Sequence, residues 1–229
     1  MPPRHSIWSL GSSLALMALA VLALGAGPDP IRDALPSPLR AVAPPSDAIF
    51  SDDFSQGLDR WKPDRDGVWS VRHGMLRADL PDGKQERSFI YAGDADWSDY
   101  AVDLDVCMMR GVDKGVVVRV EGNTGIGVDL RGPGYQDVVA NRREWRLGRA
   151  SMANANGTWH HLRVEARGHT YKVLVNGDLK LDLFDGRKSL PTGRIALPAY
   201  TGGVGECTVY YDNVVVTPLP PASANLGFD

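Results

Sequence analysis

The stretch WHHLRVEARGHTYKVLVNGDLKLDLFD, Trp159 to Asp185, decides the fold class. Apolar residues alternate at Leu162, Val164 and Ala166, then at Tyr171, Val173 and Val175, then at Leu179, Leu181 and Leu183. A period of two sends successive side chains to opposite faces of an extended chain, so each run predicts a strand with one face in a core. Asn176-Gly177 separates the second and third runs, and both residue types accept the positive φ of a type I′ hairpin turn. Gly168-His169 separates the first two runs in the same way. The stretch therefore predicts a three-stranded antiparallel meander.

Similar runs recur on both sides of it. AIFSDDF, VWSVRHGMLRADL, SFIYAG, YAVDLDVCMM, GVVVRV, GIGVDL, DVVA and EWRLGRA precede the meander, and RIALPAY and CTVYYDNVVV follow it. No segment between residues 47 and 217 keeps a helical period. Short strands at this spacing predict one all-β domain over 47–217, a two-sheet antiparallel β-sandwich of the jelly-roll type. The domain is long enough to bury a single core.

The flanks differ in composition. Residues 1–27 begin with Arg4 and His5, continue through the apolar run LALMALAVLALGA, and offer the small residues Ala23-Leu24-Gly25 for cleavage. They read as a signal peptide, which places the folded part in a secreted, periplasmic or cell-surface setting. The rival reading is an uncleaved anchor, and a membrane is a partner only in that case. Residues 28–46 are Pro-rich and read as an extended linker, while residues 218–229 read as a flexible tail.

The formal net charge of −3 and the lack of a basic cluster interleaved with aromatics exclude nucleic acid as the expected partner. Charge is nonetheless uneven. Arg110 to Arg167 carries nine arginines, with Arg142, Arg143, Arg146 and Arg149 in one short span. Such a surface is either a solvated sheet face or an attractor for an anionic polysaccharide. The two cysteines, Cys107 and Cys207, suit a disulfide in an exported protein. The strand from Tyr100 to Met109 pairing with the closing strand would set the sulfurs opposite each other. Two buried free thiols are the alternative.

Four motifs, VWSVRHGML, DWSDYAVDLDV, WHHLRVEARGHTYKVLVNG and YYDNVVVTPL, together resemble the concanavalin A-like jelly roll, including its laminin G-like and 3-keto-disaccharide hydrolase members. That resemblance implies a carbohydrate partner on a concave sheet. It equally admits a glycoside-active enzyme of the 3-keto-disaccharide hydrolase type or an adhesive surface module. GVVVRV resembles that hydrolase group's N-S-G-I-x-x-R strand with Arg119 at its arginine, although Lys114-Gly115-Val116 departs from N-S-G. The group's leucine-phenylalanine-asparagine-glycine opening is absent too. The paired glutamates of the family 16 glycoside hydrolases are also missing, since none of the five glutamates stands two or four residues from another.

Strand alternation nominates the site. With Val118 and Val120 facing the core, Arg119 and Glu121 face outward; with Val128 and Leu130 inside, Asp129 and Arg131 face outward. Leu162 and Val164 inside turn His161 outward. Arg119, Glu121, Asp129, Arg131 and His161 are therefore the expected ligand contacts, and the enzyme reading gathers Arg119, Asp129 and His161 around one sugar. No cofactor motif is present, and neither a G-x-S-x-G nor a zinc-type Cys/His spacing occurs. A structural calcium held by Asp52, Asp53 and Asp212, between first and last strands, is implied by the resemblance.

Overall fold

The computed structural model describes residues 43–220, apart from 82, 84, 143, 144, 188, 189 and 204. The expected signal peptide, most of the linker, Arg143 and the last nine residues of the tail lie outside the described residues. In chain order the strands are β1 (Phe50–Asp52), β2 (Lys62–Pro63), β3 (Trp69–Arg72), β4 (Met75–Leu80), β5 (Arg87–Ala92), β6 (Tyr100–Arg110), β7 (Asp113–Glu121) and β8 (Thr124–Arg131). They continue as β9 (Asp137–Arg142), β10 (Trp145–Ser151), β11 (Trp159–Arg167), β12 (Thr170–Val175), β13 (Asp178–Phe184), β14 (Arg194–Tyr200) and β15 (Cys207–Pro218).

These strands form two antiparallel sheets. The first runs β13-β12-β11-β6-β15-β4-β3, with β1 also on β15, and the second runs β10-β9-β8-β7-β14-β5-β2. One continuous core joins them. It draws Leu104, Val164, Val173 and Val209 from the first sheet and Ile90, Val116, Val128 and Leu197 from the second. Alternation thus does what a sandwich requires: one face of each sheet is dry, and the other is free to carry chemistry.

The meander is β11, β12 and β13. Its Asn176-Gly177 turn has φ of 53° and 85°, the signature of a type I′ hairpin. One detail departs from strict alternation. The β12–β13 register shifts between Val173, which pairs with Leu181, and Leu174, which pairs with Leu179. That extra residue on β13 turns Leu179 to solvent, where it is 55% exposed, while Leu181 stays in the core.

The expected disulfide is absent. Cys107 stands opposite Tyr210 and packs with Met75 and Trp159 on the outer face of the first sheet. Cys207 stands opposite Leu80 and points into the main core. A register shift between Thr208 and Val209 separates the two positions, and their side chains leave opposite faces of one sheet. No rotamer can join sulfurs so arranged. Both are buried free thiols, and burial pushes Cys107 up to about 11 and Cys207 up to about 12, which keeps them protonated and inert.

Candidate functional site

Arg119 does not face outward. Between Val118, opposite Ile126, and Glu121, opposite Thr124, β7 carries one residue more than β8, and its register with β14 slips over the same stretch. Arg119 sits at this bulge with φ of 53°, and the parity of the strand reverses there. Val116 and Val118 point into the core, whereas Val120 joins Val117 on the outer face and Arg119 turns inward with 0% exposure.

Inside, its backbone N–H donates to the Tyr100 hydroxyl (2.7 Å), Nη2 donates to Asp99 Oδ1 (2.9 Å), and Nη1 donates to the Leu190 (2.9 Å) and Gly168 carbonyls. Asp99 Oδ1 also accepts the Gly168 N–H (2.8 Å). Gly193 makes the fit possible, because a Cβ there would lie 2.4 Å from the Arg119 carbonyl carbon. Arg119 is a clamp between loops, with no surface left for a ligand.

The outer face of the second sheet carries a groove of about 730 Å³ that crosses β9, β8, β7, β14 and β5. Phe89 and Tyr91 line it from β5, their ring centroids 6.2 Å apart, with Pro198 beside them on β14. Its polar surface includes Arg87, Asp113, Asp129, Arg131 and Asn141, with Asn123 and Thr124 at the β7–β8 turn. Glycines keep the floor low. A Cβ at Gly115 would lie 2.0 Å from the Val128 carbonyl oxygen, so only glycine fits where β7 meets β8. Gly127 differs, since a Cβ there would meet nothing nearer than 3.9 Å and would project into open groove beside Asp129 Oδ2.

The charges in this groove are unevenly satisfied. Arg131 donates to Asp137 through two parallel bonds, Nε to Oδ1 (2.8 Å) and Nη2 to Oδ2 (2.7 Å), and Arg149 adds a third contact. These bonds hold the buried Asp137 carboxyl below the usual carboxylate range. Arg142 is likewise committed to Asp185 (2.7 Å), so three arginines of the basic span neutralise carboxylates of the same domain. Among the described residues no arginine or lysine is bonded to Asp113 or Asp129, and Asp129 has a side-chain hydrogen bond with Asn141. Asp113 stands opposite Arg131 and Asp129 opposite Gly115, which makes the two carboxyls diagonal neighbours on one face. Burial raises both pKa values, and each also gains from the other's negative charge or from that of Asp137. Arg87 and Arg131 offset this only in part, and the Arg87 guanidinium lies 4.2 Å over the Tyr200 ring. Asp113 Oδ1 is buried without a hydrogen-bond partner.

The sequence-nominated residues are therefore divided. Asp129 and Arg131 line the groove, Glu121 is exposed at the β7–β8 hairpin next to it, and Arg119 is internal. His161 lies on the opposite side of the sandwich, on the outer face of the first sheet. Its Nδ1 is 2.9 Å from Asp105 Oδ1 and its Nε2 is 3.3 Å from Asp103 Oδ1. Hydrogen bonds to Asp103 and Asp105 hold it protonated, with a pKa raised to about 9. Arg119, Asp129 and His161 consequently do not converge on one sugar.

The residues nominated for calcium are engaged by groups of the protein. Asp52 accepts the Phe54 N–H (2.7 Å) on one oxygen and the Trp61 indole N–H (3.0 Å) on the other, and Asp53 accepts the Ser55 N–H (3.0 Å). Burial and the nearby charges of Asp105, Asp53 and Asp52 raise Asp212 to about 6. Among the described residues no group of three or more His, Cys, Asp or Glu is placed to hold a metal ion.

Sequence reasoning missed Asp113, Asn141, Phe89 and Tyr91. Alternation in SFIYAG does turn Phe89 and Tyr91 away from Ile90, but nothing in the chain says which sheet face is grooved. The fold and groove define a concanavalin A-like jelly roll. The chain belongs to the 3-keto-alpha-glucoside-1,2-lyase-like domain family, which matches residues 49–217.

Solved structures of similar fold include a CBM66 carbohydrate-binding module from Bacillus subtilis (17% identity, 69% of this chain and 95% of that one, TM-score 0.57). A Bacillus subtilis protein of unknown function with a galectin-like fold is also similar (8% identity, 76% and 97%, TM-score 0.60). So is a β-1,3-1,4-glucanase from a mouse hindgut metagenome (14% identity, 74% and 99%, TM-score 0.57). At these identities the likeness is one of fold. No curated protein matches the chain in sequence.

Proposed function

We propose that this domain binds carbohydrate in the groove of its second sheet, in a compartment reached through the N-terminal signal segment. The groove itself carries the reading. It is open, large enough for a sugar unit with its neighbours, aromatic along β5 and polar along β7 and β8. Phe89 and Tyr91 offer faces for apolar sugar surfaces, and Asp129 and Asn141 offer directional partners for hydroxyls. The test is a glycan array probed with the wild type and with Gly127→Leu. Gly127 has backbone angles open to other residues and empty space above it, so leucine fills the groove without disturbing the core. Binding should fall at least about ten-fold, as expected when a preformed pocket is blocked. Unchanged binding by a normally folded Gly127→Leu protein would remove the groove from consideration.

A glycoside-active enzyme is the second reading, favoured by the family and by the Asp113–Asp129 pair. Two adjacent carboxyls whose environment keeps a proton near neutrality suit general acid–base work on a sugar. Turnover of a 3-keto-glucoside that disappears in Asp129→Asn would establish it; no turnover in the wild type would leave a binding domain.

A further inference from the structure

We infer that the groove selects saccharides carrying a protonated amine, with Asp129 as the direct contact and Asp113 as the supporting charge; this rests on the groove being the glycan site. The first observation is the balance of partners on its floor. Arg131 and Arg149 are both engaged by Asp137, the Arg87 guanidinium is stacked on Tyr200, and the described residues place no lysine in the lining. Two carboxyls thus share a face with no cation bonded to either.

The second observation is independent of charge counting. Asp113 is only 9% exposed, lines the groove, and has one carboxyl oxygen with no hydrogen-bond donor. A buried acceptor without a donor is costly, and a site tuned for neutral hydroxyl groups alone would not need two like charges beside it. The third is space. The open volume above Gly127 lies directly beside Asp129 Oδ2, so an ammonium can approach that oxygen without moving a side chain. Such a group donates several hydrogen bonds, offsets the repulsion between the two carboxyls, and makes charge-assisted contacts stronger than a hydroxyl would. The same arrangement disfavours uronates. Of the arginines that suggested an anionic polymer, Arg142 faces Asp185 and Arg149 faces Asp137, and a ligand carboxylate in the groove would meet Asp129.

The experiment compares a β-linked glucosamine tetramer with its fully N-acetylated counterpart, by calorimetry at about pH 7.5, above the raised Asp113 and Asp129 values, on the full domain. The amine form should bind about ten-fold more tightly, and that advantage should shrink between about 0.05 and 0.3 M salt because it is electrostatic. In Asp129→Asn the ratio should fall to near one. The wild-type ratio is read without any variant, so a folding defect cannot mask the result. Equal affinity for the two tetramers, a preference that survives Asp129→Asn, or tighter binding of a uronate oligomer would overturn the amine assignment and leave the groove intact. Failure of both tetramers to bind would overturn it as well. If Gly127→Leu then has no effect on any glycan, the groove reading fails separately.

Discussion

Each outer face of the sandwich carries a pair of aspartates, and the two pairs are treated in opposite ways. On the first sheet, Asp103 and Asp105 lie two residues apart on β6 and are fully partnered. His161 bridges them, Arg163 reaches Asp103, and the Asn213 amide donates to Asp105 (2.8 Å). On the second sheet, Asp113 and Asp129 lie diagonally across β7 and β8, with the nearby arginines engaged elsewhere. The satisfied pair is structure. Asp129 has a hydrogen bond with Asn141, but neither carboxyl of this pair is bonded to a cation and Asp113 Oδ1 has no donor, which leaves interaction energy unmade that a ligand can use. The same two carboxyls cost the free protein stability, as expected where a site is organised for something it does not itself supply.

The largest effect that could break this comparison belongs to neither face. Arg119 is wholly internal, and lysine cannot reproduce its contacts to Asp99, Leu190 and Gly168. Arg119→Lys should destabilise the domain by about 3 kcal/mol or more, the range for disrupting a buried charge network. Glycan affinity of the fraction that remains folded should be unchanged. A variant with normal denaturant stability but lost binding would return Arg119 to the ligand face.

Next in size is Asp129→Asn. The folded-state pKa values of Asp113 and Asp129 are raised, to about 6 and about 7, so the native protein binds more protons than the unfolded chain above pH 4. Stability therefore falls as pH rises from about 4 through 7. Removing one charge should stabilise the protein by on the order of 2 kcal/mol at pH 8 and by almost nothing at pH 4. Urea melts at the two pH values read this directly, and a destabilised variant at pH 8 would mean that the pair is satisfied after all.

His161→Gln is the smallest and has the opposite sign. The raised pKa of His161 means that its contribution is complete below about 6.5 and is lost as pH rises through about 9. Its side chain is 39% exposed, so solvent screening limits the loss to about 1 kcal/mol at pH 6. Above pH 9.5 the variant and the wild type should melt alike. A loss that persists there would make His161 a packing residue and blur the contrast between the faces. The neighbouring His160 provides an internal reference. It is buried at 4% exposure with Nε2 3.1 Å from Asn154 Oδ1, and burial lowers it to about 4. Its contribution is present above pH 6.5 and fades as pH falls toward 4, so adjacent residues on opposite faces titrate in opposite directions.

Alternation by itself determined the sandwich, because each strand's division into dry and wet faces is written locally. Leu162, Val164, Tyr171, Val173, Val128 and Leu130 needed no long-range information to be assigned inward. The same local rule correctly turned Asp129, Arg131 and His161 outward. Three things required the tertiary structure. Bulges are one: a single extra residue at Arg119 or near Leu179 reverses parity, and nothing in GVVVRV or DLKLDLF marks it. Register is another, since Cys107 and Cys207 share a sheet but leave by opposite faces, which no spacing of about 100 residues reveals. The last is which outward residues become neighbours. Outward residues are equivalent to a period of two, and only the strand order within each sheet placed His161 beside Asp103 and Asp105 and Asp129 in an open groove.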